Sequence, residues 1–148
     1  MANPVTSEEM KSLRQFHVLE IGAGELYRTN RRWLKDEELA RTLKEFGDVE
    51  IEHRDTLRQF IAKYGGKPAW ISHFARTGAT VVASLVNLFG VRARLRFECA
   101  VERKAVRDYT MALEMAKNEE LRSLFEKYRG HEQHHIDVMT KLLERGRS

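Results

Sequence analysis

Apolar residues interleaved with charges give this chain a helical pattern, broken at a few identifiable places. Thr6-Ser7-Glu8-Glu9 reads as a capping box, Thr6 as N-cap with Glu9 reaching back. A first helix is expected from there to about Trp33. Asp36-Glu37-Glu38 starts a second with acidic residues in its first turn, and Gly65-Gly66 followed by Pro68 ends it. From Ala69 to Gly90 the pattern is apolar and helical, a long crossover connection. Val91 to Lys117 sets Leu95, Phe97, Val101, Ala105 and Val106 among charges as a third long helix. Asn118-Glu119-Glu120 caps a fourth that runs nearly to the C-terminus. Within the crossover, Thr77–Val91 is the most apolar stretch, bounded by Arg76 and Arg92. It falls short of the roughly 20 residues that span a bilayer. It is expected as a buried helix or one lying in a membrane interface.

Composition agrees with four helices and a crossover. The 148 residues suit a single domain, 1–148, and include only two prolines and nine glycines. Cys99, the one cysteine, has no internal partner, which fits a reduced compartment or simply a helix surface. A net charge of +4 is mildly basic. Arg28, Arg31 and Arg32, like Arg92, Arg94 and Arg96, read as solvated helix faces, with anionic lipid headgroups as a second use. No nucleic-acid motif accompanies them. The polar start, Met1-Ala2-Asn3-Pro4, lacks the apolar core of a signal peptide, so a cytoplasmic location is expected.

Chemistry enters through a repeat. Glu20, Glu50 and His53 recur as Glu102, Glu132 and His135, in the same order and all displaced by 82 positions. With six histidines, about one chance Glu-x-x-His is expected, so a single pair means little. Two pairs, each preceded by a Glu at the same distance, mean more. The midpoint of Glu20 and Glu50 falls at the turn near Lys35-Asp36, and that of Glu102 and Glu132 at Lys117-Asn118. In an antiparallel helical hairpin, residues equidistant from the turn sit level, so each hairpin brings its two Glu to one height. One Glu from each of two helices and a Glu-x-x-His from each of the other two is the ligand pattern of the ferritin-like di-metal bundle. The fold class read here is therefore all-α, a ferritin-like four-helix bundle with a long apolar crossover between helices 2 and 3.

Residues three apart share a helix face, so Glu50 with His53, and Glu132 with His135, can share a metal. Glu50 and Glu132 are expected to bridge, Glu20 and Glu102 to be terminal, and each His to bind one ion. Carboxylate and imidazole donors suit two iron ions, with manganese or zinc as alternatives. Tyr27 and Tyr109 obey the same displacement, two turns after their Glu. They are read either as residues near the metals with a part in electron transfer or as core tyrosines. Asp55 and Asp137 also match and are candidates to orient a His on another helix. His17 and Glu98, each one turn before a Glu ligand, are spare ligands, or surface or capping groups. His131 and His134 read as exposed neighbours of the site, and His73 as part of the crossover.

The motifs resemble those of the demethoxyubiquinone hydroxylase family over about residues 15 to 140. They are Glu20-Ile21-Gly22-Ala23 with Leu26-Tyr27, Glu50-Ile51-Glu52-His53, Pro68-Ala69-Trp70 with the apolar run after it, Ala100-Val101-Glu102, and Arg129 through Asp137. The resemblance implies a di-iron centre that activates dioxygen and hydroxylates a prenylated benzoquinol, a lipophilic partner. It also implies reducing equivalents traceable to NADH and peripheral membrane association. This chain has Asp108-Tyr109 where that family commonly has His-Tyr, and Thr29-Asn30 where it has Gly-Gln. It also stops 13 residues after His135, short of a later segment of the family. These departures bear on quinone binding and electron delivery and leave the ligands untouched.

The leading expectation is an oxygen-dependent di-iron monooxygenase acting on a quinol or similar lipophilic phenol. The alternative is a ferritin-like or rubrerythrin-like protein that binds iron or detoxifies peroxide, for which a homo-oligomer is expected. A third reading is a bundle with a structural metal or none.

Overall fold

The structure is a computed structural model and describes residues 4–145. They form five α-helices: α1 (Ser7–Arg31), α2 (Glu37–Lys63), α3 (Ser72–Asn87), α4 (Gly90–Met115) and α5 (Glu119–Arg145). No strand occurs among the described residues, and the all-α expectation holds. The chain divides into two compact units, Lys11–Arg94 in one, and the residues up to Met10 with those from Leu95 onward in the other.

In the unit Lys11–Arg94, α1 and α2 form a hairpin. Asp36 caps α2 by accepting from Leu39 N at 2.9 Å. Leu39, Leu43, Phe46, Leu57 and Ile61 place the apolar face of α2 in the core. Gly24 on α1 and Gly47 on α2 let the two backbones approach. A Cβ on Gly47 would lie 3.3 Å from Tyr27 Cβ, and one on Gly24 would lie 3.4 Å from Glu50 Cβ. Past Lys63 the helix stops in a Schellman motif: Gly66 N donates to Ile61 O at 2.8 Å and Gly65 N to Ala62 O at 3.0 Å. Gly65 takes φ 74°, which glycine adopts without a Cβ penalty.

The crossover helix α3 is tied to α1 by polar side chains. Thr80 Oγ1 donates to Glu25 at 2.8 Å, and Asn87 Nδ2 donates to Asn30 Oδ1 at 3.1 Å. Its apolar run is not a buried helix. Only Ala83 of α3 is buried, while Val81, Val82, Leu85, Leu88 and Phe89 are exposed, Leu88 at 78%. No described helix is long and apolar enough to cross a membrane.

In the other unit, Asn118 caps α5, its Oδ1 accepting from Glu120 N at 3.0 Å and Leu121 N at 3.1 Å. The capping box at Thr6 forms as expected: Glu9 N donates to Thr6 Oγ1 at 3.2 Å, and Thr6 N to Glu9 Oε2 at 2.8 Å. Glu9 does more than the box requires. Its other oxygen accepts from Lys117 N at 2.7 Å and Asn118 N at 2.8 Å, joining the start of α1 to the α4–α5 turn. Burial opposes the charge, but the carboxylate accepts from Thr6 N, Thr6 Oγ1, Asn118 N and Lys117 N, and these bonds outweigh it and hold the carboxyl below the usual range.

Two expectations about single residues are corrected. Cys99 is buried, not on a helix surface, and burial raises its thiol pKa. Arg94 is not a solvated face residue. It is buried and donates to the Asn30 carbonyl at 3.1 Å, closing the connection from α3 back to α1.

Candidate metal centre

Register in the α1–α2 hairpin sets Glu20 level with Glu50 and His53. His53 Nδ1 lies 3.4 Å from a Glu50 oxygen on its own helix and 3.8 Å from a Glu20 oxygen across the hairpin. All three are buried, and their ligand atoms lie within 4.8 Å of one another. The α4–α5 hairpin repeats the arrangement. His135 Nδ1 is 3.3 Å from Glu132 and 3.7 Å from Glu102, again with all three groups buried and within 4.8 Å.

The donor set fits a metal. Oxygen and nitrogen donors each about 2.0–2.2 Å from an ion are necessarily about 3 Å or more apart. The His–Glu spacings match that better than the 2.7–3.2 Å of a good N–H···O bond. Two carboxylates and one imidazole per triad suit iron or manganese. Without a cation the second triad is electrostatically costly. Burial, reinforced by Glu132, raises Glu102 to about 8 even though His135 acts to lower it. Each hairpin thus presents a complete Glu, Glu, His set, as the repeat requires.

The tyrosines lie in the cores of their units. Tyr27 packs edge-on against Phe46 with ring centroids 5.6 Å apart, and Tyr109 against Tyr128 at 6.0 Å. Phe46 and Tyr128 are themselves related by the 82-position displacement, so the two contacts are equivalent.

Asp55 and Asp137 do not orient a histidine. Both are exposed; Asp55 accepts from its neighbour Arg54 at 2.8 Å and Asp137 from Gln133 at 2.9 Å. Positions i and i+2 face apart on a helix, so burying His53 and His135 turns both aspartates outward. His17 and Glu98 are both buried, so their reading as surface groups fails. His17 Nδ1 has no hydrogen-bond partner, and burial with Arg58 and Arg54 nearby lowers its pKa. His134 and His73 are exposed as expected, and His131 is half-buried. Asp108 pairs with Lys104 one turn earlier, on the surface of α4.

Glu25 is a buried carboxylate that the sequence does not single out. It accepts from Arg28 Nε at 2.9 Å and from Thr80, and has Thr29 Oγ1 at 3.3 Å. Burial works against its charge, yet these donors hold its pKa below the usual carboxylate range. Glu25 lies outside the 82-position repeat, since Arg107 stands at the matching place. Only knowledge of where α3 lies could have singled it out.

Solved structures share this fold. A hypothetical protein from Methanococcus jannaschii matches with a TM-score of 0.83 at 17% identity, over 100% of this chain and 86% of that one. The bacterioferritin of Mycobacterium tuberculosis matches at 0.80 and 18%, over 95% and 85%. Symerythrin from Cyanophora paradoxa matches at 0.67 and 17%, over 100% and 90%. The fold is the ferritin-like helical bundle, and the chain carries two ligand sets of the kind a di-metal site uses. More specifically, the model of the ubiquinone biosynthesis protein COQ7 family matches residues 8–142, and the chain belongs to that family. It is also 25% identical over 111 residues to a 3-demethoxyubiquinol 3-hydroxylase of Polynucleobacter asymbioticus, covering 75% of this chain and 53% of that protein. The chain thus spans about half the length of the curated relative it matches.

Proposed function

We propose that the chain is a ferritin-like iron protein whose two triads hold two iron ions that react with dioxygen or peroxide. The observation that carries this is the near-identity of two buried Glu, Glu, His sets on two hairpins. Bound iron would supply the electrons for oxygen or peroxide reduction. The chain's own part is to present neutral imidazole Nδ1 atoms and ionised carboxylates, and to hold them where water is scarce. Four ionised carboxylates offset the formal charge of two divalent ions, which lets the ions sit in a core.

Iron binding with oxygen or peroxide reduction needs nothing beyond these residues. Hydroxylation of a demethoxyubiquinol is the second reading, favoured by family membership and by the exposed apolar face of α3, which suits a lipid-borne substrate at a membrane surface. In that case NADH is the ultimate electron source. Anaerobic loading with Fe(II), then separate additions of dioxygen, hydrogen peroxide and a short-chain demethoxyubiquinol, tests both. Two irons per chain oxidised by either oxidant support the first reading, and a hydroxylated ring product supports the second. Correctly folded protein that binds no iron overturns both.

A further inference from the structure

Beside the first triad the unit Lys11–Arg94 holds a pocket of about 400 Å³, within the size range of small-molecule sites. Glu20 forms part of its wall, so the pocket reaches a proposed metal ligand. Three guanidinium groups from three helices converge on it: Arg28 of α1, Arg54 of α2 and Arg76 of α3. Ile21, Gly24 and Ile51 supply an apolar side. None of the three arginines is part of the repeat, whose matching residues for Arg28 and Arg54 are Thr110 and Ile136.

The three are not equally engaged. Arg28 is closed onto buried Glu25 through both Nε and a terminal nitrogen. Arg54 is closed onto exposed Asp55 through Nε at 2.8 Å and a terminal nitrogen at 2.7 Å, and Asp55 does not line the pocket. Arg76 Nε lies 3.9 Å from Glu25, beyond hydrogen-bond reach, with a side chain 64% exposed. Arg76 therefore presents a planar donor fork of the kind that takes a carboxylate or another oxyanion, and Arg54, held by a solvent-exposed carboxylate, adds a positive charge beside it. Counting Glu20, Glu25 and the Asp55 that Arg54 holds, the three arginines meet three carboxylates. A metal on Glu20 removes one of the negative charges and tips the balance to positive.

We propose that this pocket binds a small organic monoanion, a carboxylate or phenolate on an apolar body, between Arg54, Arg76 and the Ile21–Ile51 wall, and binds it more tightly once Glu20 holds a metal ion. The site rests on the reading of Glu20 as a ligand. It places a reactant or effector next to the first ion, and its specificity comes from arginines that the metal does not need.

Calorimetric titration of the full chain with benzoate, metal-free and loaded with redox-inert Zn(II), tests it. Metal stoichiometry is measured on the same samples. The expected result is binding that tightens at least tenfold on loading, weakens at least tenfold in Arg54→Gln and Arg76→Gln, and is absent for neutral benzyl alcohol. The two variants should keep the wild-type metal stoichiometry. Inorganic phosphate should bind more weakly than benzoate, because it has nothing to set against the isoleucines. Two metals bound but no benzoate binding overturns the pocket assignment and leaves the metal reading standing. Benzoate binding indifferent to both arginines, or to metal, also overturns it, as does phosphate binding as tightly as benzoate. Failure to take up metal at all overturns the metal reading, and the metal-coupled pocket with it.

Discussion

The two hairpins were built to one plan and then put to different use. α1–α2 and α4–α5 carry the same triad, with His–Glu spacings that differ by only 0.1 Å between them. They share an N-cap at Asp36 and Asn118, the acidic pairs that follow, and an edge-on aromatic contact beneath each triad. Around the triads they diverge. The first hairpin crosses closely at Gly24 and Gly47, where the second has Val106 and Arg129. It also holds α3 through Glu25 and Asn30 and opens onto the arginine pocket. In the second, Glu102 and Glu132 lie in surroundings that drive Glu102 to about 8. Ligand geometry follows from hairpin register, which tolerates much variation in side chains. Access and charge depend on single residues that need not repeat.

The largest effects are expected at the ligands. Glu50→Ala and Glu132→Ala should each remove the ion of their own triad. His53→Ala and His135→Ala should each reduce two irons per chain to one, by equal amounts if the halves are equivalent. Elemental analysis of anaerobically loaded protein gives the counts. A variant that keeps two irons breaks the assignment of that residue.

A second contrast is in pH dependence. Glu102 has a folded-state pKa raised above its unfolded value, so its contribution favours folding below about pH 4.5 and is lost as pH rises through about 8. Metal-free protein should therefore lose stability across that interval, by several degrees in Tm. Glu102→Gln should flatten the slope, and metal loading should reverse it by favouring the ionised carboxylate. Glu9 and Glu25 act in the opposite sense. Their lowered values give stability present above the usual carboxylate range and lost as pH falls through their folded pKa, so they shape only the acid limb. Thermal melts from pH 2 to 9 on the metal-free protein and the Gln variant separate the two.

A third contrast is in packing. Gly47→Leu would force a side chain into Tyr27 Cβ, already only 3.3 Å from a Cβ at that position, and should cost about 1–3 kcal/mol. Arg129→Leu, its counterpart in the repeat, should stay within about 0.5 kcal/mol, as surface changes usually do. Urea unfolding of both variants measures the difference. Equal costs would mean that the close crossing is not what sets the first hairpin.

Much of this was legible in the sequence because it depends on spacing. Six candidate ligands, both turns, the capping box and the stop after Lys63 follow from periodicity and from the few residues with special backbone habits. Residues whose roles depend on a distant segment were not legible. Glu25 finds Thr80 and Arg76 only because α3 lies across α1, and Arg94 is buried only because Asn30 offers it a carbonyl. His17 and Glu98 looked like surface groups because helical charge usually is solvated. Asp55 and Asp137 matched the repeat without sharing in the site, since i and i+2 point apart. For α3, the apolar run identified a helix but left both burial and exposure open, and the exposed face removes the first.

The smallest contrast lies in the matched caps. Asp36 accepts one backbone N–H, from Leu39 at 2.9 Å. Asn118 accepts two, from Glu120 and Leu121, and its own N–H donates to Glu9. Asp36 is exposed, whereas Asn118 is fully buried, so water can replace the first cap more easily than the second. Asp36→Ala should therefore cost roughly 0.5–1 kcal/mol and Asn118→Ala roughly 1–2 kcal/mol, the two ends of the usual capping range. Adding Glu9→Gln to Asn118→Ala should cost less than the sum of the two singles, because both substitutions loosen the same turn. Additive losses in urea unfolding would show that Glu9 supports α1 through its capping box and contributes nothing through the α4–α5 turn.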